Sequence, residues 1–186
     1  MSIRALGIGL CVLMILGCEF VATDEGNRDG TCGEHSSCPH DQACGSGQCV
    51  DLAGRRYAVT AVDLELCNTN LDGEPFDSLN NSAPDPKIEL RYKGQVLYQS
   101  SAHEDALATT FTLTGVEVDL TDFEDSFVVE VHDQDLPLSE LMDTVAVDVG
   151  YPGLRAGELL RSHRSDCTES PVTRVVVRLS PVDGAW

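Results

Sequence analysis

The alternation of apolar and polar residues is the feature that most limits how this 186-residue chain can fold. From Tyr57 onward, apolar side chains recur at every second position in short segments separated by turn-rich stretches. Successive side chains of a strand point to opposite faces, so this period predicts strands that are buried on one face. The clearest segments are 88–92, 111–113, 116–120, 127–131, 145–149 and 175–179. They predict an all-β antiparallel sandwich over residues 57–183, with seven or eight strands.

Two stretches depart from this simple pattern. The first predicted strand, residues 57–66, changes phase near Ala61, which predicts a β-bulge there. Residues 156–162 are the one stretch that suggests a helical turn or two. We therefore expect almost no helix, in a domain large enough to bury a core of its own.

The beginning of the chain is typical of a secretory signal. Arg4 precedes an apolar run over residues 5–16, and Gly17 ends it. The run of about 12 residues is shorter than the roughly 20 that a helix needs to cross a bilayer. We therefore expect residues 1–17 to be a signal peptide that is removed on export.

Residues 15–18, Ile-Leu-Gly-Cys, resemble the lipobox of bacterial lipoproteins. The resemblance implies a diacylglycerol on the Cys18 thiol and an acyl chain, such as palmitate, on the new amine. Several acyl chains hold a protein stably to a membrane. Glu19 stands where an aspartate would signal inner-membrane retention, which favours the outer membrane of the cell envelope. The alternatives are a secreted protein that is cut near Cys18 and an anchor that is not cut.

Residues 18–31 are polar after the lipidated cysteine and show no apolar period, so we expect a flexible tether. An unstructured chain spans about 5–6 Å × √n, which gives about 20 Å for this length. The tether can therefore lift a folded domain above the lipid headgroups.

Six further cysteines predict disulfide bonds, since export places the chain in an oxidising compartment. Four of them lie within residues 32–50, a segment with almost nothing apolar, which resembles small cysteine-rich modules of exported bacterial proteins. The six are Cys32, Cys38, Cys44, Cys49, Cys67 and Cys167. The clustered four allow three connectivities, and Cys67 and Cys167 pair by elimination. Zinc is the alternative for the module, because His35 and His40 lie among the thiols.

The charge of the chain is strongly negative. Its formal net charge is −19, and removal of the signal with its single arginine leaves 11 basic and 31 acidic residues, or −20. No cluster of four or more Lys or Arg occurs. Binding to nucleic acid or to bare anionic lipid is therefore opposed, whereas cation binding is favoured where carboxylates converge.

The order of these signals resembles a C2 domain, the eight-stranded sandwich known for calcium-dependent phospholipid binding. The stretch 83–90, APDPKIEL, is similar to the family's S-D-P-Y-V step, and FVVEVHDQD over 127–135 is similar to its V-x-V-x-D-x-D step. The stretch 140–142, ELM, matches the following D-x-[LM] step. The family's middle signature, T-x-N-P-x-W-N-E, has no clear counterpart, and Asp143 replaces a glycine.

The resemblance implies a calcium site built by two loops at one end of the sandwich. The implied ligands are Asp77, Asp85, Asp133, Asp135 and Glu140. Asp72 is the alternative to Asp77. We favour Asp77, because Asp77 lies closer to the turn before Asp85. The alternative is that the aspartate pattern arises by chance, because one residue in six is acidic. In that case Asp85 serves only as a turn residue before a strand.

The same loops carry apolar residues that either insert into a membrane or partner or cap the end of the sandwich; we favour capping. They are Leu71, Phe76, Leu79, Leu136, Leu138 and Leu141. C2 topology further implies that the last strand lies beside the first but begins at the opposite end.

No nucleotide-binding, metalloprotease or nucleophile-elbow motif occurs, and the five histidines are scattered. We therefore do not expect an enzyme. The sequence predicts an envelope lipoprotein whose C2-like domain binds calcium and, through it, a phospholipid or protein partner. A calcium-independent structural or adhesive module is the alternative.

Overall fold

The computed structural model describes residues 31–76, 82–121, 125–135, 139–162 and 167–184. The predicted signal peptide, Cys18, most of the tether and Asp77 lie outside these residues. None of the helices within the described ranges is long and apolar enough to cross a membrane.

The described residues form eleven strands and one short α-helix. In chain order they are β1 (Gln42–Gly45), β2 (Gln48–Asp51), β3 (Arg55–Leu66), β4 (Pro86–Tyr92), β5 (Gln95–Gln99), β6 (Ala108–Thr112), β7 (Glu117–Leu120), β8 (Ser126–Asp133), β9 (Glu140–Asp148), α1 (Tyr151–Ala156), β10 (Glu158–Ser162) and β11 (Val172–Pro181), with a 3₁₀ turn at His35–Ser37.

Two antiparallel sheets enclose one core, so the prediction of an all-β sandwich is confirmed. One sheet has the order β10-β11-β3-β6, with β7 also on β3, and the other has the order β5-β4-β8-β9. The core draws Tyr57 and Val177 from the first sheet and Leu90 and Phe127 from the second, all of them fully buried. Their alternation with half-exposed neighbours, as along β8, is the period that the sequence displays.

The sandwich has the expected eight strands when β6 and β7 are counted together. β6 pairs with residues 61–65 of β3, and β7 continues along the same strand opposite residues 55–58. They therefore act as a single edge strand with an interruption. The predicted bulge is also confirmed: Arg178 faces Ala61 but Leu179 faces Val59, so Thr60 is the extra residue.

The helix prediction for residues 156–162 was wrong. The helix is α1, which starts five residues earlier and ends at Ala156. Gly157 caps it, with a φ of 74°, the left-handed conformation that glycine adopts without strain. Residues 158–162 instead form β10, where Leu159 pairs with Val177. Pairing with β11 and burial of Leu159 outweigh the helix propensity of this stretch.

The prediction for the start of the last strand was also wrong. β11 does lie beside β3, but it runs antiparallel and begins at Val172 opposite Leu66, where β3 ends. Cys67 and Cys167 therefore meet without the chain having to turn back, and the structure contains this disulfide. The Cys67 N–H also donates to the carbonyl of Pro171, at 2.8 Å.

The cysteine-rich segment contains two disulfides, Cys32–Cys44 and Cys38–Cys49. Within the described residues, one group of three or more potential metal-ligating side chains lies within 4.8 Å, and it consists of Cys32, Cys38 and Cys49. All three sulfurs are in disulfides. They are therefore unavailable as thiolates, which is the form that binds zinc.

This segment packs firmly against the sandwich. Ala43 and Leu52 are fully buried in the main core cluster. The Arg155 guanidinium donates to the carbonyls of Pro39 and Gln42, and the Tyr57 hydroxyl donates to the Leu52 carbonyl at 2.8 Å. Residues 31–52 are therefore part of one folded unit with the sandwich; we call them the disulfide hairpin.

The two ends of the sandwich are distinct. At one end β3 and β8 finish and β4, β9 and β11 begin, near Leu66, Asp133, Pro86, Glu140 and Val172; we call it the acidic end. At the other, β3 and β8 begin and β11 finishes. The disulfide hairpin and α1 pack there, and we call it the hairpin end.

The Cys67–Cys167 bond closes a long loop, with a sequence separation of 100 residues. We predict that the double substitution Cys67→Ala/Cys167→Ala lowers the free energy of unfolding by about 2–5 kcal/mol, mainly by freeing the unfolded chain. Urea unfolding followed by circular dichroism measures this. An unchanged midpoint would mean that the bond adds nothing to stability.

Burial raises the pKa of Tyr57 to about 12. The neutral phenol is the form that fits the core, and its unfolded pKa is about 10. Its contribution to stability is therefore complete below pH 10 and is lost as the pH rises through about 12. We predict that wild-type urea midpoints fall more steeply in this window than those of Tyr57→Phe; equal slopes would refute the assignment.

Candidate functional site

The core-facing row of β8 ends in a carboxylate. Phe127, Val129 and Val131 are fully buried, and Asp133, next in the same phase, is only 4% exposed. A buried carboxylate requires hydrogen-bond donors or a cation. One donor is the Asp85 N–H, which lies 2.8 Å from Asp133 Oδ1.

Strand pairing brings three of the predicted acidic residues to the acidic end. Pro86 faces Asp133 across β4 and β8, and Glu140 faces Asp133 across β8 and β9. Asp85, Asp133 and Glu140 therefore lie at the ends of three adjacent strands. Asp135 follows two residues after Asp133 and is half-buried.

Asp85 has a role that the sequence did not reveal. Its Oδ1 accepts the Asp105 N–H at 2.8 Å, and its carbonyl accepts the Gln134 N–H at 3.1 Å. Together with its own N–H to Asp133, these bonds join the turn before β4 to residues 100–107 and to the end of β8. Asp85 holds loops together and is not among the residues that line the cavity described below.

The first loop of the acidic end is folded as a tight turn. The Asn70 side-chain oxygen accepts the N–H groups of Asp72 and Glu74, both at 3.0 Å, and the Asn70 N–H donates to the Glu74 carbonyl. Such closure is typical of asparagine, and Gly73, at φ 79°, supplies the left-handed residue that it needs. The turn places Leu71 and Asp72 at its tip.

A cavity of about 260 Å³ opens between this turn and the ends of β8 and β9. Its walls carry carboxylates from both loops, together with apolar side chains. The lining residues are Asn70, Leu71, Asp72, Phe76, Asp133, Glu140, Leu141, Met142 and Pro171. Among the described acidic residues of the first loop, Asp72 is the one that lies at this cavity; the favoured candidate, Asp77, is outside the described residues.

The donor set suits a hard cation. Calcium takes six to eight oxygen ligands, and Asp72, Asp133 and Glu140 supply carboxylates from three segments. In the described part of the chain, no three of these carboxylates lie within 4.8 Å of one another. Asp133 is held in place, whereas Asp72 and Glu140 are exposed. A cation would therefore have to draw the two exposed side chains towards the buried one.

Two leucines project beside this cavity. Leu71, at the tip of the first turn, is 58% exposed, and Leu141, at the start of β9, is 57% exposed. Our expectation that such residues cap the sandwich was therefore wrong for these two. Phe76 is half-buried, and Leu79, Leu136 and Leu138 lie outside the described residues.

A larger groove, of about 560 Å³, crosses the outer face of β3, β6 and β11, but its charges are paired. Arg178 lies 2.6 Å from Asp63, and Arg174 lies 2.8 Å from Glu65. The hydrogen bond to Asp63 raises the pKa of Arg178. Neither arginine is therefore a free cation for an anionic ligand.

Comparison with known proteins gives similarities of structure alone. No protein-family model and no curated protein sequence matches the chain. A solved structure described as "Structure of a C2 domain" is 13% identical with a TM-score of 0.46, covering 68% of this chain and 98% of that one. A C2 domain of plant Extended Synaptotagmin 1 is 12% identical with a TM-score of 0.40, covering 69% and 95%. A structure of two C2 domains of Extended-Synaptotagmin 2 is 16% identical with a TM-score of 0.40, covering 68% of this chain and 39% of that one.

The buried carboxylate of Asp133 can be tested through stability. We predict that Asp133→Ala lowers the free energy of unfolding by roughly 1–3 kcal/mol, because the Asp85 N–H loses its acceptor inside the protein. Asp133→Asn keeps an oxygen for this N–H and serves as the matched control, with a smaller loss. Equal losses in urea unfolding would mean that the charge, and not the hydrogen bond, is required.

Proposed function

We propose that the protein is an envelope lipoprotein whose C2-like domain binds calcium at the acidic end and, through it, a membrane or protein partner. The observation that carries this proposal is the buried Asp133 carboxylate at a cavity whose other walls present Asp72 and Glu140.

Electrostatics supports a cation at this position. Carboxylates gathered at one cavity repel one another, and burial penalises the charged form of Asp133, so a bound cation would relieve both costs. The chain carries 31 acidic and 12 basic residues, so few cations of its own can neutralise this end. Oxygen donors on loops are the surroundings that calcium accepts most readily.

The exposed leucines support binding of the acidic end to a membrane or protein partner. Leu71 and Leu141 flank the cavity, so a cation bound there would lie between two apolar side chains. Calcium would neutralise the acidic end, and the leucines would then be able to enter an apolar surface. The remaining parts of the proposal are the lipid on Cys18, an outer-membrane location and a non-catalytic role without nucleic acid.

A calcium-independent structural or adhesive module is the second candidate, and one observation favours it. Asp85 and Asp133 both accept main-chain N–H groups from neighbouring segments. These bonds stabilise the loops without a cation. In that case the acidic end is a rigid surface and its charge serves solubility.

Isothermal titration separates the two candidates. We predict that the chain from residue 18 onward, with Cys18→Ser to avoid the lipid, gives saturable heat with Ca²⁺ and a higher melting temperature in its presence. Absence of both effects at millimolar Ca²⁺ would remove the calcium proposal and leave the structural module.

Matched double variants identify the site. Asp72→Asn/Glu140→Gln should weaken calcium binding roughly tenfold or more, since it removes the two exposed carboxylates of the cavity. Asp51→Asn/Glu117→Gln removes the same charge from exposed positions near the hairpin end and should leave the affinity nearly unchanged. Equal weakening would show a general charge effect and contradict the assignment of the cavity.

A further inference from the structure

The chain enters its folded structure at the end of the sandwich opposite the acidic cavity. Thr31 pairs with Gln48 of β2, and the Cys32 N–H donates to the Gly47 carbonyl at 2.9 Å. The segment that would link Cys18 to the fold therefore joins it through the disulfide hairpin. The acidic end lies beyond the full length of the sheets.

The disulfide hairpin cannot swing freely to change this direction. The Arg155 guanidinium, from α1, donates to the carbonyls of Pro39 and Gln42, on either side of the turn that leads into β1. The His40 ring lies 5.3 Å from the Tyr151 ring, in an edge-to-face contact. With Ala43 fully buried as well, the attachment point has a fixed orientation relative to the cavity.

Lengths decide which surface the acidic end can reach. β3 has 12 residues, so the two ends are about 40 Å apart at roughly 3.3 Å per residue. From Cys18 to Thr31 there are 31 − 18 = 13 residues, whose fully extended span is at most about 47 Å. An unstructured chain of this length spans about 20 Å. Contact of the acidic end with the anchoring bilayer would require a nearly straight tether beside an inverted domain.

We propose that the acidic end binds in trans, to a second anionic lipid surface that faces the membrane in which Cys18 is anchored. This rests on the proposed calcium site and on the lipid at Cys18. The disulfide hairpin is then the element that sets the direction of the domain: it keeps the cavity and its two leucines pointed away from the anchoring bilayer.

The apolar surface of the acidic end favours lipid over protein as the occupant. Stable protein interfaces bury about 800 Å² on each partner around a packed apolar centre. In the described chain, the large apolar residues exposed at the acidic end are Leu71, Leu107 and Leu141, at 58%, 39% and 57%. Separate leucines exposed at one end of the sandwich suit insertion between lipid chains, and a bound calcium ion can bridge protein carboxylates to lipid phosphate oxygens.

Fluorescence quenching tests directly which of the two bilayers the acidic end contacts. The full lipidated chain, as Leu141→Trp with Trp186→Phe to remove the natural tryptophan, is placed in donor vesicles that contain phosphatidylserine. Acceptor vesicles have the same composition and are in large excess, and brominated lipid is included in one population at a time. With calcium, we expect quenching when the acceptor vesicles are brominated and none when the donor vesicles are. Quenching by donor lipid instead would overturn the proposal.

Two sets of variants separate the contribution of the exposed leucines from that of the tether length. Leu71→Ser/Leu141→Ser should abolish calcium-dependent clustering of donor and acceptor vesicles while the calcium heat is retained. Leu160→Ser, at a side chain equally exposed on β10, is the matched control and should cluster vesicles normally. Lengthening the tether threefold with Gly and Ser should produce quenching by brominated donor vesicles, because the domain can then invert and reach the bilayer in which it is anchored.

The failures are distinguishable. Loss of the calcium heat itself would overturn the calcium site and the proposed function with it. Calcium heat without quenching by either vesicle population would overturn the lipid partner alone, and would favour a protein at the acidic end.

Discussion

The hydrogen bond from the Asp85 N–H to the buried Asp133 carboxylate organises the acidic end of this protein. It joins two turns that are 48 residues apart in the sequence and does so at the last core position of β8. A charged group at that position is costly unless it is satisfied. The loops around Asp133 therefore have to supply donors, and the Asp85 carboxylate extends the connection to Asp105. Asp133 also lines the cavity at this end.

Disulfide bonds are present at both ends of the sandwich, and they stabilise different parts of the fold. Cys67–Cys167 ties the end of β3 to the segment before β11, within the acidic end. The bonds of the disulfide hairpin order a segment that has little apolar surface of its own, and Arg155 and Leu52 then dock it on the sandwich. The described fold therefore has the disulfide hairpin at one end and the acidic cavity at the other.

The strands that pack on the core by one face were predictable because the pleat repeats every two residues, and β8 displays that repeat without interruption. β5 and β10 were missed. β5 is an edge strand with both faces partly exposed, and β10 has the composition of a helix. Both depend on a neighbouring strand for their conformation, and a local pattern carries no information about that neighbour. For the same reason the helix was placed five residues too late.

The chain's local patterns alone determined the sandwich, the bulge near Ala61, the acidic loops and the cysteine pair that remains after the clustered four. Tertiary structure alone decided that Asp72 lies at the cavity, that Asp85 holds loops together and that Leu71 and Leu141 remain exposed. It also decided that the disulfide hairpin packs opposite the acidic end. Periodicity reports which face of a strand is buried, whereas side-chain partners and the relative positions of loops depend on contacts between residues far apart in the sequence, which exist only once the sheets have paired.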